Sequence, residues 1–322
     1  MTRVAILTDE VGWHTRQLQT ALRARGAVGR CIDLADCHID TGAAWHGLVL
    51  PGFGRELPDA ALVRGIAGGT FEQVTKRLGV LHALRALGIP VYNDARAIER
   101  SVDKSMTSLL LHAAGVATPP TWATESAAHA QRIVMRESAA GHALVLKPLF
   151  GSQGKGLKLI GEVAGVHHAL PALGKAFGGL AYLQRFVPPI ENPSDHPGDQ
   201  PGDKKPGFDW RVLVIGGQAV TAMRRVSTHW IHNVAQGARC EPAPLTPTLA
   251  QLAERASDAL GLDYAGVDLI PSQHGTQVIE VNGVAAWRGL QRVTPFNIAR
   301  AIVDDFLDRK CASSSAAEVQ RA

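Results

Sequence analysis

The chain has 322 residues, with 33 Lys and Arg against 29 Asp and Glu, 46% hydrophobic and 19% charged residues. That length suffices for two or three packed units at ~100–200 residues each, and the ordinary apolar share excludes a largely disordered chain. The formal charge of +4, scattered basic residues and 5% aromatics argue against a nucleic-acid partner and suit an anionic small substrate, while the four cysteines (Cys31, Cys37, Cys240, Cys311) lack Cys-x-x-Cys spacing and predict a reducing cytoplasm rather than a zinc site or disulfide scaffold.

In chain order, residues 3–7 read as a buried strand. Its four-residue apolar core, followed by Asp9, is too short for a signal peptide, and no apolar run reaches the ~18–20 residues of a membrane span. A helix is expected over 14–25, closed by Gly26, then strands over 28–34 and 47–50, the latter ended by Pro51-Gly52-Phe53-Gly54. A helix over 72–87 and a strand over 89–93 complete an alternation that implies βαβ units and a parallel sheet. The loop 8–13 follows the first strand, where open α/β sheets bind ligands.

Residues 94–99 lead into a helix through 104–114, with Ser101 or Asp103 as cap. Pro119-Pro120 opens the next segment. Strands over 143–149 and 156–160 flank a glycine-rich loop, His167-His168 reads as helix surface, and a further strand covers 180–187. Residues 190–207 hold four prolines and almost nothing apolar, and read as a loop. Strands follow at 210–215 and 219–224, a helix at 247–260, strands at 266–270 and 276–281, and a last helix at 295–308. The small, polar end should fray. These patterns divide the chain into 1–95, 96–187, 188–311 and a tail, 312–322.

Three groups of residues carry chemistry. Across the expected hairpin around Gly275, Asp268 falls opposite Glu280, with Asn282 on the Glu280 face. Facing carboxylates repel. They are either oxygen ligands for a magnesium-type cation or the solvated acids of an exposed sheet face. Lys147 ends an apolar strand before Gly151-Ser152-Gln153-Gly154-Lys155-Gly156, which either cradles phosphate through its backbone amides or is a plain glycine hairpin. The loop matches neither the Walker nor the dinucleotide fingerprint. Lys104, Arg211 and the pair Arg224-Arg225 are either anion-holding groups or surface charge, and Asp209, two before Arg211, can share its strand face.

In this order the motifs resemble the RimK-like α-L-glutamate ligases of the ATP-grasp superfamily. The resemblance rests on Ala97–Lys104, Leu144–Pro148 with the glycine lid, Leu183–Val187, Asp209-Trp210-Arg211, Ala222–Arg225 with Asn233, Ala265–Asp268 and Val278–Gly283. The stretch Leu62–Val74 looks like the branch that includes the tetrahydromethanopterin:α-L-glutamate ligases. It implies an α/β and α+β chain, namely an ATP-grasp fold behind an N-terminal Rossmann-like, pre-ATP-grasp parallel-sheet domain. Lys104 and Lys147 would contact the phosphates of ATP, with Gly151, Ser152, Gly154 and Gly156 as the lid. Gln184, Arg185, Phe186 and Val187 would line the adenine edge, and Asp209 and Asn233 would also bind nucleotide. Asp268, Glu280 and Asn282 would hold two Mg²⁺ ions, or Mn²⁺, while Arg211 and Arg225 would steady the transferred phosphoryl group and the acyl phosphate.

The activity so implied is ATP-dependent, ADP-forming joining of L-glutamate to a carboxylate-bearing small-molecule acceptor, a pterin-type coenzyme, in the cytoplasm. Such ligases are often dimers or tetramers, so a homo-oligomer is expected without an interface to point to. The alternatives are a glutamate ligase modifying a protein C-terminus and a catalytically silent ATP-binding protein. Three departures bear on acceptor and nucleobase: Arg185 stands where relatives usually carry an acid, residues 190–207 enlarge a loop that is short in many of them, and residues 234–238 after Asn233 lack the basic residue common there.

Overall fold

The computed structural model describes residues 1–42, 45–151, 153–174, 177–191 and 205–311. The chain opens with β1 (Arg3–Leu7), α1 (Trp13–Ala24) and β2 (Val28–Ile32), continues through β3 (His38–Ile39) and β4 (Leu48–Val49), and proceeds to β5 (Ala60–Val63), α2 (Phe71–Ala86) and β6 (Val91–Tyr92). Four of these strands form a parallel sheet in the order β2-β1-β5-β6. β5 is buried throughout and β1 nearly so, the pattern of parallel strands covered on both faces. α2 starts at a reciprocal cap, with Thr70 accepting from the Gln73 amide and the Gln73 side chain from the Thr70 amide.

The expected third strand, 47–50, is not part of that sheet. Leu48–Val49 pairs antiparallel with His38–Ile39 in a separate ribbon. β5 takes its place, and its Ala60-Ala61 start has little strand propensity of its own, so burial rather than local preference selects it.

Residues 95–102 are a helix in their own right, α3 (Ala95–Val102), followed by α4 (Lys104–Ala113). Asp103 caps α4 by accepting from the Ser105 and Met106 amides, whereas Ser101 lies inside α3. The second sheet comprises β7 (Thr121–Thr124), β8 (Leu144–Lys147), β9 (Lys158–Val163), β10 (Val166–His168) and β11 (Ala181–Arg185), with α5 (Ala127–Ala139) between β7 and β8. Its order is β10-β9-β8-β11-β7, antiparallel throughout. β9 turns into β10 over Ala164 and Gly165, with φ of 51° and 77°. Positive φ at both central residues makes a two-residue hairpin, so His167 and His168 sit on a strand and not on the expected helix surface.

The third sheet is antiparallel in the order β14-β13-β12-β15-β16. It is built from β12 (Gly207–Ile215), β13 (Gln218–Ser227), β14 (Arg239–Ala243), β15 (Tyr264–Ser272) and β16 (Gly275–Asn282), with α6 (Pro247–Leu260) between β14 and β15. One face packs Val212, Val214, Val267 and Val281 against Leu249, Ala253 and Leu260 of α6. The other packs Leu213, Ile215 and Tyr264 against Trp287, α8 (Ile298–Phe306) and residues of the first sheet. The expected final helix over 295–308 is shorter, because Asn297 caps α8 only from Ile298, and α7 (Arg288–Val293) precedes it. The loop expected over 190–207 lies mostly outside the described residues, and so does the tail from 312. No helix of the described residues is long and apolar enough to cross a membrane.

One side chain joins the first sheet to the third. Asn93 is fully buried, donates to the carbonyls of Tyr264 and Gly283 at 2.7 and 2.6 Å, and accepts from the amides of Asp263 and Tyr264 at 2.5 and 2.9 Å. All its hydrogen-bonding capacity is spent across that junction. Asn93→Ala strands four backbone groups at ~1–3 kcal/mol each, so a loss of more than about 3 kcal/mol is expected from the urea-unfolding midpoint. An unchanged midpoint would contradict the junction's role.

Candidate functional site

On the second face of β12 side chains alternate, so Asp209 and Arg211 precede Leu213 and Ile215. The register sets Asp209 opposite Arg225 on β13 and Arg211 opposite Asp268 on β15. Both cross-strand pairs are two-pronged. Arg225 reaches Asp209 through Nε at 2.7 Å and Nη2 at 2.5 Å, and Arg211 grips both Asp268 oxygens, Nη2 to Oδ2 at 2.7 Å. Arg225 also lies 3.0 Å from Asp268, linking the pairs into one buried quartet. Burial raises the Asp268 carboxyl, but the two guanidiniums outweigh it and hold it below the usual range. Burial likewise opposes the Arg225 charge, yet Asp209 and Asp268 raise it above the normal arginine value.

Asp268 faces Glu280 and Gly266 faces Asn282, the alignment expected from the hairpin. The donor set suits a hard cation. Glu280 has no hydrogen bond or ion pair among the described residues, and Asn282 gives its amide NH₂ to the Gly266 carbonyl at 3.3 Å, leaving its oxygen available. No group of three or more His, Cys, Asp and Glu converges among the described residues. Glu280 and the Asn282 oxygen are the open donors, and Asp268, both of whose oxygens Arg211 holds, would join them only with that pair loosened, around an ion that completes its shell with substrate phosphates and water.

Facing these acids across a cleft between the second and third sheets are Lys104 and Lys147. Lys147 donates to Gln184 Oε1 at 2.6 Å and is pushed down to about 8, mainly by burial, with Glu280 opposing the shift. Burial also lowers Lys104, whose ammonium donates to the carbonyls of Gly151 at 2.7 Å and Leu149 at 3.4 Å. The glycine loop reaches over the cleft to the segment after β13. Gln236 donates to the Gln153 carbonyl, and at Gly154 a Cβ would stand 2.7 Å from both Asn233 Oδ1 and Ile231 Cγ2, so only glycine permits that approach. Gly156 is exposed at the end of the loop, and Ser152 lies outside the described residues.

Gln184, Arg185, Phe186 and Val187 line the cleft, as do Asp209, Arg225, Asn233, Asp268 and Glu280, whereas Arg211 and Asn282 are not among its lining residues. Sequence reasoning did not assign three of the lining residues. Trp230 meets Phe186 edge-on at 5.8 Å, closing the cleft beside the β11 end. His232 is buried with Nδ1 3.9 Å from Asp209, and is kept neutral, at about 4, by burial first and then Arg225 and His229. Lys155 lines the loop side. Outside the lining, Glu137 on α5 accepts from Arg185 Nε at 3.1 Å and Nη2 at 2.7 Å and so fixes the hinge arginine. Trp230 and His232 are within three residues of Asn233 and were findable by proximity, whereas nothing local marks Glu137.

A RimK-like ATP-grasp domain model matches residues 101–306, and a RimK PreATP-grasp domain model matches residues 2–98. The tetrahydromethanopterin:α-L-glutamate ligase of Methanococcus maripaludis is 34% identical over 250 residues, 77% of this chain and 78% of that protein. A probable α-L-glutamate ligase of Hydrogenovibrio crunogenus is 31% identical over 94% of each chain. Among solved structures, the ATP-grasp ligase PsnB complexed with minimal precursor, Mg and ADP superposes with a TM-score of 0.66 at 19% identity, over 95% of this chain and 98% of that one. A RimK domain ATP-grasp protein from Sphaerobacter thermophilus gives 0.65 at 21%, over 94% and 98%. At these identities the structures share the fold.

Lys147 generates a pH prediction. Only its protonated form attracts phosphate, and in the free protein it loses that proton as pH rises through about 8. Mg-ADP affinity should therefore fall on the alkaline side, by at most about tenfold per pH unit, with proton uptake on binding near pH 9. Calorimetry in buffers of different ionisation enthalpy reads both effects, and Lys147→Arg, which stays charged, should abolish them. An affinity that is flat across this range would count against a phosphate contact.

Proposed function

The chain belongs to the RimK-like ATP-grasp family of ligases, and on that premise we propose that it joins L-glutamate to a carboxylate-bearing small-molecule acceptor of the pterin-coenzyme type at the expense of ATP. The observation that carries this reading is the Asp209–Arg225–Asp268–Arg211 quartet set beside Glu280, which has no hydrogen bond or ion pair among the described residues, and across from two desolvated lysines. Relatives named as glutamate ligases, several of them for tetrahydromethanopterin, support the donor and the acceptor class.

ATP would lie between the second and third sheets, its base against Gln184–Val187 and Trp230, its phosphates against Lys104, Lys147 and the glycine loop. Asp268, Glu280 and Asn282 would hold Mg²⁺, which supplies Lewis-acid neutralisation of the phosphate oxygens when bound. The acceptor carboxylate oxygen attacks the γ-phosphorus and ADP leaves, giving an acyl phosphate. The glutamate amine then attacks the acyl carbon, inorganic phosphate departs, and the amine proton is lost to solvent or phosphate. Lys147 and Lys104 offset charge on the transferring group, and the docked glycine loop keeps water from the acyl phosphate. No serine or cysteine nucleophile is needed, since positioning and electrostatics carry such a transfer.

The test is ADP release by purified protein with Mg-ATP against a panel of amino acids, pterin coenzymes and peptide C-termini. Release requiring both L-glutamate and a reduced pterin coenzyme is the expected outcome; release with a peptide instead would discard the acceptor class. Glu280→Ala and Lys147→Ala should each lower turnover by ~10²-fold or more. Near-native turnover in either variant would overturn the site.

A further inference from the structure

A second cationic centre lies outside the nucleotide cleft. Arg64 leaves the end of β5, and Arg288 and Arg292 stand one turn apart on α7. A run of rings connects Arg288 to Arg64. The Arg288 guanidinium is 6.0 Å from the Trp13 ring, Trp13 meets His14 at 5.0 Å, His14 meets Trp287 at 4.7 Å, and Arg64 lies 5.1 Å over Trp287. Among the described residues no carboxylate comes within ion-pair distance of any of the three arginines. Arg64 donates only to the Val284 carbonyl at 2.9 Å, and its buried Nε finds no acceptor. The fully buried Trp287 likewise leaves its indole N–H without one.

Uncompensated like charges repel, and an orphaned buried donor costs stability, so this arrangement is poor as packing alone. The same cations bear on the ring between them. His14 accepts from the Trp287 amide at 3.2 Å and is held neutral, at about 4, by burial and then by Arg64 and Arg288. The loop 8–13 at the end of β1 runs directly into Trp13, and the strand that carries Asp268 passes beside Ala285, two residues before Trp287. At Gly266 a Cβ would touch Ala285 at 2.8 Å and the Arg211 stem at 3.2 Å, so Arg211 and the α7 approach share one strand position. None of the three arginines lines the nucleotide cleft.

We propose that Arg64 and Arg288, which flank Trp13 and Trp287, together with Arg292 one turn along α7, bind the carboxylates of the non-nucleotide substrate, a compound with at least two such groups. Guanidinium forks match carboxylates bidentately and leave the reacting group of the ligand free to face Arg211 and Asp268. The identification of that ligand as a substrate rests on the ligase reading; the anion site does not. A dicarboxylate can come from L-glutamate itself or from a glutamate-like end of the acceptor, and the experiment separates them.

Calorimetric titration of the full chain, with Mg-ADP present, uses L-glutamate and γ-L-glutamyl-L-glutamate as probes and L-glutamine as a control with one carboxylate fewer. Arg288→Ala/Arg292→Ala should weaken one probe by about tenfold or more, with Mg-ADP affinity within about twofold of wild type. Arg64→Lys, which keeps charge but loses the fork, should weaken the same probe. Loss confined to glutamate assigns the site to the amine donor, and loss confined to the dipeptide assigns it to the acceptor. The proposal is overturned if the double variant keeps both affinities, or if wild type binds neither probe better than glutamine. Should carboxylate affinity fall as expected while no substrate pair releases ADP, the anion site stands and the glutamate-ligase reading falls.

Discussion

Four charges buried between strands govern the third sheet. A lone carboxylate or guanidinium at the depth of Asp268 or Arg225 would cost several kcal/mol, and removing one member of a buried pair typically costs ~3–5 kcal/mol. Each acid is therefore tied to the arginine directly across from it, and those ties fix strand register as firmly as any core contact. A one-residue slip of β12 would turn Asp209 and Arg211 onto the α6 face, among Val267, Val281 and Leu249, and would expel Val212 and Val214 from it.

The same face of the same strand changes character along its length. Asp209 and Arg211 come first, then Leu213 and Ile215, which are buried beneath Trp287 and α8. Reaction chemistry and domain joining thus share one strand. Arg211 stands at the border, its stem against the strand position that Ala285 also touches, and the Asn93 clamp sits a few residues away on β15. A site built this way is rigid where charge develops, while the parts that contact it from above are loops, the glycine loop and the segment after β13.

Much of this was legible in the sequence because it follows local rules. The opposition of Asp268 and Glu280 needed only the length of one hairpin, and the Asp209–Arg211 face only the period of a strand. Lys147 stood out as a charge in an apolar strand. Less was legible where burial overrides propensity. β5 begins with two alanines and exists because the sheet encloses it, and β10 depends on a turn with positive φ at Ala164, which no composition signals. Long-range partners were invisible for a different reason. Nothing near Arg185 announces Glu137, and nothing near Arg64 announces Arg288, since only the folded chain brings them together.

The partnership of Arg185 with Glu137 is lopsided. Burial raises the Glu137 carboxyl, and Arg185 and Arg136 together bring it below the usual range. Arg136 is the immediate neighbour on α5 and lies 3.0 Å from the same carboxylate. Glu137 is 5% exposed and Arg185 34%, so without Arg185 the enclosed acid would keep only Arg136, whereas without Glu137 the hinge cation would still meet water. The end of β11 is thus anchored from α5, outside the cleft that Arg185 borders.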